Sequence, residues 1–152
     1  MTIGAGACGG DPHDSEIVAT IEGVWRAAGI DPGDAYLRSY QRHTRENTRA
    51  CEHLPTDDRW FADRLGLLPS NIAPQDQIYD GALAYLEREG FTVERYEARH
   101  PEVDRPALRA VRADLAVLVT VAEDGNTALD VSAGPCAVQL STFSEEMYQR
   151  VD

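Results

Sequence analysis

The sequence predicts a single α+β domain in which N-terminal helices pack on one face of a small antiparallel sheet of three or four strands. Three observations predict it. Apolar residues recur with a helical period in the first half of the chain and alternate with a period of two in the second. A turn sequence, Glu123-Asp124-Gly125-Asn126, divides the longest alternating stretch as a β-hairpin would. At 152 residues the chain suits one core, and neither an internal repeat nor a linker divides it.

Residues 1–13 are rich in Gly, Pro and Asp, show no periodicity and read as a flexible tether. The domain proper then covers 14–143, with a tail at 144–152. The first helix starts near Asp14 or Ser15, either of which can accept a hydrogen bond from an unpaired helix N–H. Ile17, Ile21, Val24 and Ala28 fall on one side with Trp25 beside them, and Gly29 suits a left-handed cap. Asp31-Pro32-Gly33-Asp34 is a turn opening a second helix to about Glu52, with Leu37, Tyr40, Thr44, Asn47 and Cys51 facing inward. A short helix is expected after Thr56, placing Asp57 and Asp58 in its first turn, turning Trp60, Phe61 and Leu65 inward and stopping at Gly66. Pro74 fits the first position of a further helix through Ile78, Ala82, Tyr85 and Leu86, ending at Gly90.

After Gly90 the period changes. Residues 91–99 alternate Phe91 and Val93 against Thr92 and Glu94, a strand exposed on one face. Val111, Ala113, Leu115, Val117, Val119 and Val121 then share one face, and Thr127, Leu129, Val131 and Ala133 resume the alternation beyond the turn. Gly134-Pro135 ends this pairing, because proline has no N–H for the ladder. Residues 144–152 read as one loose helical turn.

A net charge of −12 argues against sequence-independent binding to nucleic acid or an anionic bilayer, both of which reward positive charge. Every basic residue is arginine, the bias of a GC-rich genome. No apolar run approaches the roughly 18–20 residues of a membrane-spanning helix. Phosphate-binding, dinucleotide, nucleophile-elbow and zinc-protease motifs are all lacking, so neither a cofactor nor catalytic chemistry is expected.

Three cysteines, Cys8, Cys51 and Cys136, form an odd set, which in an exported protein suggests one bridge and one special thiol. None belongs to a C-x-x-C pair and only His53 lies near Cys51, too few ligands for zinc; a disulfide is the better reading. Its alternative is a pair of buried free thiols in a reducing compartment.

Ala5-Gly6-Ala7-Cys8-Gly9-Gly10-Asp11 resembles the end of a lipoprotein signal, whose cysteine carries the lipid and is followed by a flexible tether. Ala5 stands where Leu is usual, and the charged and apolar parts of such a signal are expected to be encoded ahead of Met1. The alternative is an incidental Gly/Ala-rich terminus with an idle thiol at Cys8.

The order of helix, internal cysteine, "ALAYLEREGF" helix, strand and hairpin ending in Gly134-Pro135-Cys136 resembles small predicted lipoproteins of high-GC Gram-positive bacteria, whose function is mostly unknown. The resemblance spans about residues 15–140 and implies helices on an antiparallel sheet, an extracytoplasmic location, and a bridge from Cys136 to an earlier cysteine. A Cys51–Cys136 bond would contribute roughly 4–5 kcal/mol in the chain-entropy model.

On the expected second helix, Arg38, Arg42, Arg45 and Arg49 form one stripe. It reads either as a docking face for an acidic or phosphate-bearing partner, or as a solvated face balanced by acidic neighbours. Tyr36 and Tyr40, with Trp25, could line a cleft beneath it for an apolar or sugar-like ligand. A nucleophilic pair of Cys51 with His53 is disfavoured, since positions two apart on a helix point about 200° away from each other. The expectation is therefore a monomeric, membrane-tethered domain of the cell envelope that binds an envelope protein or ligand. Its rivals are a cytoplasmic acidic interaction or inhibitor protein and, third, an envelope enzyme.

Overall fold

The computed structural model describes residues 11–44, 49–100, 102 and 105–151. Helix α1 spans Pro12–Ala27, α2 spans Gln75–Arg88 and the short α3 spans Ala137–Leu140. Strands are β1 Tyr36–Leu37, β2 Gln41–Thr44, β3 Trp60–Leu68, β4 Thr92–Ala98, β5 Ala107–Arg112, β6 Leu115–Val121, β7 Thr127–Ala133 and β8 Tyr148–Val151. The described residues form one antiparallel sheet of eight strands in the order β1-β3-β7-β6-β5-β4-β8, with β2 pairing β3 beside β1. The α+β class holds, and the sheet has twice the strands expected from the sequence at its upper bound of four.

Helix α1 begins earlier than the sequence suggested. The Asp11 side chain caps it by accepting from the His13 N–H at 2.9 Å, with Pro12 in the first turn, where its missing N–H costs nothing. Ile17, Ile21, Val24 and Trp25 are buried as their spacing implied, and Gly29 follows the helix at φ +77°. In α2, Ile78, Ala82 and Leu86 are buried, and Pro74 is the N-cap instead of the first helical residue. The helices meet closely: a Cβ on Gly81 would lie 2.6 Å from the Ala28 Cα. Both cover one sheet face, where Val117, Val119, Leu129 and Val131 complete the core.

Residues 31–68 depart most from the reading of the sequence. Among the described residues the second helix is absent; Pro32–Asp34 and Arg49–Cys51 are single 3-10 turns, with β1 and β2 between them. The short helix expected after Thr56 is likewise a 3-10 turn, Thr56–Asp58, followed by the nine-residue strand β3. Gly66, expected to stop a helix, sits within that strand because α1 crosses it there: an added Cβ would meet Ile21 at 3.0 Å and Trp25 at 3.2 Å. The stretch from Val111 is two strands, divided at Ala113, whose φ of +53° lets Arg112 pair with Leu115. Val111 accordingly faces away from Leu115. The expected helical turn near the C-terminus is β8, an edge strand paired with β4. Among the described residues no helix is long and apolar enough to cross a membrane.

Candidate functional site

The sheet's second face is only partly covered. After β7, Gly134 turns the chain at φ +125°, and α3 returns it across the ends of β3, β7 and β6. Cys51 and Cys136, both at 0% exposure, form a disulfide with Cα atoms 5.9 Å apart across a sequence separation of 85. They pack with Phe61 and Ala137 into a second small core, flanked by Leu54 and Leu140. Arg109 fastens this cap to the sheet, donating from Nε to the Ser141 carbonyl at 2.7 Å and from Nη2 to that of Val138 at 2.9 Å. The hydroxyls of Ser132 and Ser141 add a buried hydrogen bond of 2.7 Å.

Beside the cap lies a chain of titratable side chains. Antiparallel register puts Gln41 opposite Asp63, His43 opposite Phe61, and Asp130 opposite both Leu65 and Leu118, so His43, Asp63 and Asp130 are diagonal neighbours on this face. His43 Nε2 and Asp63 Oδ1 are 2.9 Å apart, and the imidazole stacks on Phe61 with centroids separated by 4.7 Å. Asp130 Oδ1 is sealed from solvent without a hydrogen-bond partner among the described residues. Burial, reinforced by the Asp63 charge and a hydrogen bond with Asp63, raises the Asp130 carboxyl to about 7, against the weaker pull of His43 and Arg38. No described group of His, Cys, Asp and Glu could hold a metal ion.

The disulfide foreseen between Cys51 and Cys136 is present. The arginine stripe is not, because the described residues that would have carried it form strands and a 3-10 turn in place of a helix. Arg38 lies just past β1, its N–H bonded to the Leu65 carbonyl at 2.9 Å; Arg42 lies on β2, its guanidinium 4.0 Å above the Trp60 ring; Arg49 begins a 3-10 turn. Arg45 and Cys8 lie outside the described residues. Tyr36 and Tyr40 separate as well. Tyr36, at 61% exposure, borders a small cleft with Leu37, Trp25 and Ile21, whereas Tyr40 donates its hydroxyl to Asp11. Burial, and then that bond, push the Tyr40 phenol up to about 12, so this side chain is committed to anchoring α1.

Reasoning from the sequence missed Asp63 and Asp130. The signal was a lone carboxylate inside the alternating run Thr127-Ala128-Leu129-Asp130-Val131, a residue type that a half-covered strand face accommodates only with partners. No family model, curated protein or solved structure matches the chain.

Proposed function

We propose that the chain is an extracytoplasmic binding domain, tethered to the membrane through lipid on Cys8 and stabilised by the Cys51–Cys136 disulfide. The disulfide carries this reading: a buried bridge between distant segments belongs in an oxidising compartment and is rare in a reducing one. The position of Cys8 adds support, since only Gly9 and Gly10 separate it from Asp11, the residue that caps α1. A lipid there would hold the domain by the end of α1, leaving the opposite ends of the helices and the partly open sheet face to a partner.

The contact surface moves from the expected helical stripe to the edge at β1. Tyr36 and Leu37 expose apolar surface there, and the exposed Arg38 follows directly. An aromatic and an aliphatic side chain on an edge strand, with a guanidinium directly after it, suit an envelope protein or ligand that offers an apolar group beside an acidic one.

Growth of the native cells with an alkyne-bearing fatty acid tests the tether. Label on the wild type in the membrane fraction, lost in Cys8→Ser, is the expected result. Unlabelled wild-type chain in the cytosolic fraction would overturn the proposal in favour of a cytoplasmic interaction protein.

A further inference from the structure

Strand β2 is four residues long, sits at the edge of the sheet, and leads towards Cys51. On the helical face Arg42 holds it by stacking on Trp60. On the other face its hold is His43, which reaches Asp63 on β3 and, through Asp63, Asp130 on β7. An edge strand is thereby connected to the middle of the sheet by a row of polar side chains that ends at the buried carboxyl of Asp130.

The groups around Asp130 define what a proton does there. Asp63 faces it from β3, His43 from β2 and Arg38 from the segment between β1 and β2, while β6 presents the neutral Leu118. Arg109 on β5 is engaged with Glu94 and the carbonyls of the cap. When Asp130 is protonated it can donate to Asp63, leaving the Asp63 carboxylate to accept from His43. When the proton leaves to solvent, two carboxylates adjoin on a half-covered face, and Asp130 Oδ1 has no donor among the described residues to offset its burial. Asp63 is the partner able to retreat, because its side chain and that of His43 keep 25% and 28% exposure at the sheet edge.

We propose that His43, Asp63 and Asp130 form a proton-operated latch, which holds β2 against β3 in mild acid and slackens it in mild alkali. Slackening frees the N–H and C=O groups that Phe61 and Asp63 of β3 turn towards β2, whereas the Trp60 carbonyl stays bonded to the Cys136 N–H. The latch thus couples pH to the closure of this edge of the sheet.

Amide hydrogen exchange on the full chain with its disulfide intact tests this. Protection factors of Gln41–Thr44, corrected for the intrinsic pH dependence of exchange, are compared with those of Ile17–Val24 in α1 at pH 5.5 and 8.5. Protection of β2 is expected to fall about tenfold relative to α1. Asp130→Asn, whose amide donates at every pH, should keep β2 protected at both. His43→Gln should lower its protection already at pH 5.5, which keeps the proposal testable if Asp130→Asn does not fold. Equal protection of wild-type β2 at both pH values would overturn the latch, as would a wild-type pH response in Asp130→Asn or unaltered protection in His43→Gln.

Discussion

Arg64 on β3 grips Asp14 on α1 through two hydrogen bonds, Nε to Oδ1 at 2.6 Å and Nη2 to Oδ2 at 2.9 Å. The pair joins the first helix to the sheet at a point where both side chains are three-quarters buried or more. Bidentate, charge-assisted bonds in such a setting are among the stronger polar contacts of a fold. Asp14→Ala removes the partner of two donors of a largely buried guanidinium and leaves it only the Nη1 bond to the Arg38 carbonyl, so urea unfolding should show a loss of about 2 kcal/mol. A change below about 0.5 kcal/mol would mean that the contact adds nothing to the docking of α1.

Asp130 gives the stability a definite pH dependence. Its carboxyl rises from 3.8 to about 7 in the folded protein, so the folded state binds the proton more tightly than the unfolded chain. The associated stability is fully present below pH 3.8 and is lost as pH rises through about 7, after which the curve flattens. The difference in unfolding free energy between wild type and Asp130→Asn should therefore shift by about 2 kcal/mol in favour of the variant between pH 4.5 and pH 8, after a discount for residual solvent contact. Parallel curves for the two proteins would refute the burial cost assigned to Asp130.

Gly81 lies in the interior of α2, where alanine would ordinarily stabilise by up to about 1 kcal/mol. Against this stands the backbone of Ala28, which an added methyl would approach to 2.6 Å. Overpacking should win, and Gly81→Ala should lower stability by about 1–3 kcal/mol in thermal or urea unfolding. A stabilised variant would show that α1 and α2 have room to separate.

Much of this fold is legible where burial is one-sided. Ile17, Ile21 and Val24 on α1, and Ile78, Ala82 and Leu86 on α2, keep helical spacing because each helix has one buried face. Strand β3 is covered on both sides, by α1 at Gly66 and by the disulfide core at Phe61, so alternation is lost and its glycine imitates a helix stop. The turn at Ala113-Asp114 has its positive φ on an alanine and holds no glycine or asparagine, so two alternating strands read as one in the sequence. The bridge was foreseeable because cysteines are few. The row from His43 to Asp130 was not, because it is made by register between three strands, and two of them, β2 and β3, fall where the sequence reads as helix.

The stabilising weight of the disulfide should also be large. Its reduction, or the paired change Cys51→Ser with Cys136→Ser, removes a bond closing a long loop, and urea midpoints should report a loss of about 4 kcal/mol. Loss below 1 kcal/mol would mean that Arg109 and the buried serine pair suffice to hold the cap.

The central claim is that this bridge forms in the compartment where the protein works. Peptide mass mapping of chain isolated from its native cells, alkylated at harvest and digested without reduction, tests it most directly. One linked peptide containing Cys51 and Cys136, with neither thiol alkylated, is the predicted result. Both cysteines recovered as separate alkylated peptides would contradict the claim and place the chain in a reducing environment.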